Sequence, residues 1–114
     1  MTIKEAIRRA DELRPNSIEE ETKSAWVCTL DGDIAELMGK PHEEDPFPHD
    51  RELLMPSPDE DIYIFYLMAM IDVANCDSTL YANDMVLFNE GYRDARARFR
   101  RNNLPDTAVN WKVI

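Results

Sequence analysis

The chain has 114 residues, 44% of them hydrophobic, enough for one compact core and hardly for two. Its 13 Lys and Arg stand against 23 Asp and Glu, and a net charge of -10 repels nucleic-acid phosphates, so a DNA-binding role is disfavoured. The opening MTIKEAIRRADEL lacks the apolar run of a secretory signal, and Cys28 and Cys76, far apart in sequence, read as small core residues kept reduced inside a cell.

Thr2-Ile3-Lys4-Glu5 fits a capping box, and Ile3, Ala6, Ile7, Ala10 and Leu13 share one face, which predicts a short amphipathic helix. Pro15 disfavours helical backbone at Arg14 and ends it. A second box, Ser17-Ile18-Glu19-Glu20, predicts the next helix start, with Glu19 to Glu21 at the positive end of the dipole. The buried face of this helix is read as Ile18, Thr22, Ala25, Trp26, Thr29, Ile34, Leu37 and Met38, with Gly39 and Pro41 as its stop. Asp31-Gly32-Asp33 has the glycine in the wrong place for a calcium loop and is read as a helix flaw.

Residues 40 to 57 are expected to form a long loop, since Pro41, Pro46, Pro48 and Pro56 interrupt any helix. Residues 42 to 61 are acidic, with Glu43, Glu44, Asp45, Asp50, Glu52, Asp59, Glu60 and Asp61 against the single basic Arg51, and the apolar Leu53, Leu54 and Met55 are expected to tuck the end of the loop against the core. Ser57-Pro58-Asp59-Glu60 then has the composition of a capped helix start, for which Ser57→Ala should cost about 1 kcal/mol. From Ile62 to Ala74 every residue but Asp72 is apolar or aromatic, which predicts a buried central helix too short to span a bilayer. The strand propensity of Ile62 to Tyr66 is outweighed by that cap and by the Met- and Ala-containing continuation.

After the break at Asn75 to Ser78, Tyr81, Met85, Phe88, Tyr92, Ala95 and Phe99 alternate steps of four and three, one stripe along a helix to about Arg101. Asn102, Asn103 and Pro105 terminate it, and residues 103–114 form a tail. Val109, Trp111, Val113 and Ile114 make that tail too apolar for a merely solvated end, so it should bind its own domain or a neighbour. The expected architecture is therefore a single all-α domain over 1–114, a small bundle of four to five helices with a long acidic loop and an apolar C-terminal tail.

No catalytic constellation or cofactor is expected. His42 and His49 lie beside acids but at no ordered ligand spacing, and Pro46 and Pro48 separate them, so a solvated loop is expected and not a metal site. Three glycines leave no phosphate cradle, and nothing marks one carboxylate as buried beside another. Two charged features stand out. Arg93, Arg96 and Arg100 form a row beside the apolar stripe, read either as a solvated face suited to the helix C-terminus or as a surface for the acidic segment of an adjacent subunit. Asp72 is read either as buried and paired with an arginine of the last helix or as wet at the bundle edge.

The segments TIKEAIRRADELRPNSIEEETKSAWVCTLDGDIAEL and LLMPSPDEDIYIFYLMAMIDVANCDSTLYANDMVLFNEGY, with the spacing between them, resemble small proteins from the head-to-tail gene region of phages and prophages of Gram-positive bacteria, similar to the head–tail connector (adaptor) family. The resemblance spans residues 2 to 100 and rests on helix-packing patterns. It implies a non-enzymatic virion protein, in the host cytoplasm before assembly, that forms a ring with copies of itself and docks onto portal and tail-completion proteins, away from membranes and without sequence-specific nucleic-acid contacts. Expected interface residues are Arg93, Arg96, Arg100, Trp111, Val113, Glu43, Glu44 and Asp45. A small acidic regulator or DNA-mimicking inhibitor is the alternative; a helix-turn-helix reading of the Arg93 to Arg101 segment conflicts with the acidity of the rest of the chain.

Overall fold

A computed structural model describes residues 1–42 and 47–103. They form a small all-α bundle of four helices, α1 (Ile3–Leu13), α2 (Glu20–Met38), α3 (Asp61–Ala74) and α4 (Ser78–Asn102). The central helix is α3, against which the other three pack. Its Ile62, Tyr63, Leu67 and Ile71 are almost wholly removed from water, each worth about 1.5–3 kcal/mol of hydrophobic stabilisation.

The helix α1 begins as its sequence predicts, with Thr2 Oγ1 accepting the Glu5 N–H at 3.2 Å, while the Glu5 carboxylate turns to Arg9 one turn on (3.0 Å). Ile3, Ala6, Ile7 and Ala10 are buried, but Leu13 is 55% exposed. The inward place at that end of α1 goes to Arg14, whose guanidinium reaches into the bundle.

The start of α2 departs from expectation. Ser17 does not cap it; Glu19 occupies the cap position without a side-chain hydrogen bond, and Asn16 organises the turn by accepting from the Ile18 N–H (3.0 Å) and from Lys23 Nζ (3.1 Å). The buried face differs too. It consists of Lys23, Ser24, Val27, Cys28, Leu30, Asp31, Ile34 and Ala35, while Thr22, Ala25 and Thr29 face water. Three polar residues on the inner side hide the helical phase from a hydrophobic count, and two of them, Lys23 and Asp31, are buried against partners elsewhere in the chain. Asp31-Gly32-Asp33 is unbroken helix. Gly32 lies under the His42 ring, where a Cβ would come within 3.1 Å of Nε2, so the glycine admits the returning chain. The stop is as expected: Gly39 is left-handed (φ 67°), its N–H bonds Glu36 O and the Lys40 N–H bonds Ala35 O, which closes the last carbonyls in a Schellman arrangement.

Residues 51–55 return along α1, where Thr2 and Glu52 form an antiparallel bridge, and Leu53 and Met55 tuck into the core as expected. Helix α3 starts at Asp61, not at the Ser57-Pro58 box. Ser57 is exposed, and residues 56–63 close through backbone bonds from Asp59 N to Pro56 O, Ile62 N to Asp59 O and Tyr63 N to Glu60 O. Of the donors that a Ser57 cap would serve, the Asp59 N–H goes to the Pro56 carbonyl instead. The break before α4 places Cys76 at φ 57° and in solvent, so it is not a core residue; a turn between two helices belongs to neither buried face. Asp77 caps α4 through the Leu80 N–H (3.0 Å).

The predicted stripe of α4 faces α3, with Tyr66, Phe88 and Tyr92 in successive ring contacts at 5.5 Å and Ala95 buried. Gly91 lets the pair approach closely, since a Cβ there would meet Ile62 Cγ2 at 3.0 Å. With 25 residues to the 14 of α3, α4 is about 37 Å long against about 21 Å. Its C-terminal turns therefore run past the start of α3, toward the end of α2 and the 54–59 turn.

Candidate docking surface and buried polar clusters

Two clusters of buried charge fix the scaffold, and of these the sequence reading held only one alternative, a buried Asp72 paired with an arginine. Asp31, fully buried in α2, accepts from Tyr63 Oη (2.7 Å), the Leu54 N–H (3.1 Å) and Arg51 Nη1 (2.6 Å). Tyr63 Oη in turn accepts the Met55 N–H (2.9 Å), and burial together with the Asp31 carboxylate pushes its phenol well above the ordinary value. One carboxylate thereby pins the end of the loop to α2 and α3. The usable signal was positional: Asp31 follows Ser24, Val27 and Cys28 at the three- and four-residue steps of the buried face.

The second cluster answers the question about Asp72. It is buried, and its cation is Arg14 at the end of α1, not an arginine of the last helix: Arg14 Nε donates to Asp72 Oδ1 (3.1 Å) and Nη2 to both oxygens of Asp84 (3.1 and 3.2 Å). The arginines expected to serve it lie beyond Gly91, near the opposite end of α3, too far along α4 to reach. Two carboxylates are thus buried side by side, contrary to the sequence reading. Asp72 Oδ2 receives no donor among the described residues. Burial above all, then the neighbouring Asp84, pushes Asp72 up to about 6 against the pull of Arg14. A third buried charge, Lys23, binds both oxygens of Asp11 at 2.8 and 2.9 Å and ties α1 to α2.

The outer side of α4 carries the predicted arginines, and the structure divides them. Val86, Arg93 and Arg100 recur at seven-residue intervals, in one line along the exposed side. Val86 is 55% exposed, Leu87 beside it 44%, and Arg93 is largely free in solvent, 3.8 Å from Asp94. Arg96 leaves this line to stack over the Tyr92 ring (5.1 Å to the centroid). Arg98 pairs with Asp59, so one arginine of the cluster does meet the acidic segment, within its own chain. Arg100 and Arg101 lie exposed in the last turn, at the negative end of the helix dipole. Glu43, Glu44, Asp45, Trp111 and Val113 lie outside the described residues.

Among the described residues, no group of three His, Cys, Asp or Glu side chains is placed to hold a metal ion, and no helix is long and apolar enough to cross a membrane. No protein-family model matches the chain, and neither a curated protein nor a solved structure matches it.

Proposed function

We propose that this chain is a non-enzymatic structural protein of the phage head–tail connector kind, which assembles with copies of itself, in a ring, and docks onto portal and tail proteins. The observation that carries the reading is the line of Val86, Arg93 and Arg100 on the outer side of α4. Glu90 and Asp94 offset Arg93 on this side, so its cationic end is Arg100 with Arg101, and on a chain of net charge -10 that end is complementary to the acidic remainder of another copy. The acidic side of that contact is the 42–61 segment of the adjacent subunit, with Glu43, Glu44 and Asp45 facing Arg93 and Arg100. The sequence resemblance over residues 2 to 100 supplies the setting: host cytoplasm before assembly, the virion afterwards.

Multi-angle light scattering of the purified protein, alone and with portal protein, tests the proposal. Ring-sized species or a portal complex are expected, weakened by Arg93→Glu with Arg100→Glu and by raised salt. A chain that stays monomeric at high concentration and binds neither portal nor tail protein overturns it.

A further inference from the structure

We propose that the groove between the end of α2, the 54–59 turn and the C-terminal turns of α4 is the seat of the chain's own C-terminal segment, with the Trp111 side chain as its anchor. The inference stands apart from the connector reading, since it concerns one copy of the chain. The groove has a volume of about 440 Å³, in the range of ligand pockets, and its lining mixes the apolar Met38, Leu54 and Phe99 with the charged Lys40, Asp59 and Arg98. Met38 and Leu54 pack against the core yet are only half-buried, so a further apolar group laid on them removes more surface from water.

The occupant follows from where the described chain stops. Asn103, the last described residue, itself lines the groove, and residues 104–114 continue from that point. Trp111 lies eight positions beyond Asn103, a contour of at most about 29 Å, so the indole has ample reach back over a groove that begins at the attachment point. Pro105 disfavours helical backbone at the residue before it, so the sequence does not favour continuing α4 through this point. Val109, Trp111 and Val113 alternate with polar residues, the period that puts three apolar side chains on one side of an extended segment. A buried indole N–H requires an acceptor, and the groove rim offers Asp59 and the amide oxygens of Asn102 and Asn103; the Asn103 amide already donates through Nδ2 to Phe99 O (2.8 Å), leaving Oδ1 to accept. A tether this short holds the segment at an effective concentration of order millimolar, which favours its own groove over that of another copy.

Trp26 and Trp111 are the only tryptophans, so Trp26→Phe in the full chain isolates the reporter. Emission shifted to the blue of a free 104–114 peptide, with several-fold weaker acrylamide quenching and no dependence on protein concentration, is expected. Phe99→Ala, checked for retained helicity, should return the emission to that of the peptide. In the unsubstituted protein, nuclear Overhauser contacts from the Trp111 ring to Met38, Leu54 and Phe99 are expected, which covers failure of either variant to fold. Peptide-like emission, ring contacts to other residues, or a blue shift that grows with concentration and so marks docking in a second copy would each overturn the proposal.

Discussion

Asp31, midway along α2, and Asp72, in the last turn of α3, are both buried carboxylates, and they are treated in opposite ways. Asp31 is met by a phenol, a backbone N–H and a guanidinium, so its charge is fully solvated by the protein. Asp72 shares a single guanidinium with Asp84 and keeps one oxygen without a donor among the described residues. The difference teaches that burial alone does not set the cost of a charge; the count of donors brought to it does. One site is a fixed anion that organises a loop. The other holds a proton more readily than an ordinary aspartate.

The largest effect should come from Asp31→Ala, which removes the acceptor of the Tyr63 phenol and the Leu54 N–H together with one partner of the half-buried Arg51; a loss of about 3–5 kcal/mol by urea denaturation is expected. A loss below about 1 kcal/mol would erase the contrast. Arg14→Ala should cost about 3 kcal/mol at neutral pH by leaving two adjacent carboxylates unneutralised, and part of that loss should return in acid, where Asp72 is protonated.

Asp72→Asn tests the weaker site directly. Its folded value, about 6, lies above the ordinary 3.8, so the folded chain binds the extra proton. The contribution is therefore complete below about 3.8 and is lost as pH rises through about 6, to on the order of 3 kcal/mol. An asparagine imitates the protonated form, so the variant should lack this decline and match or exceed the parent at pH 7.5, measured as denaturation midpoints across that window. Asp11→Ala removes a partner that is itself 39% exposed, and Lys23 keeps Asn16, so only about 1 kcal/mol is expected after allowing for screening by water. Ser57→Ala should lie within about 0.5 kcal/mol of the parent by the same denaturation, because no cap bond is lost.

What could be read beforehand divides along the same line. Thr2, Gly39 and the Tyr81 to Phe99 stripe were legible because each acts through neighbours a few residues away. The phase of α2 was not, since Lys23 and Asp31 face inward against Asp11 and Tyr63, 12 and 32 positions distant. Nor was the link from Asp72 to Arg14, which crosses 58 positions. Ser17 and Ser57 misled for the converse reason: the local signal was present, but α2 and α3 begin three and four residues later, at Glu20 and Asp61, so neither serine stands at a helix start. Of the docking surface, the arginine cluster was legible, whereas its division among solvent, the Tyr92 ring and Asp59 was not.

The Schellman closure after α2 and the grip of Asp31 on Arg51 and Leu54 sit at the two ends of the proline-rich stretch. Each is anchored to the helices. From within the stretch, the His42 ring over Gly32 and the Asp50 carboxylate, which accepts the Lys4 N–H at 3.1 Å, also hold to α2 and α1, so a longer connection adds little closure entropy only where these two contacts are kept.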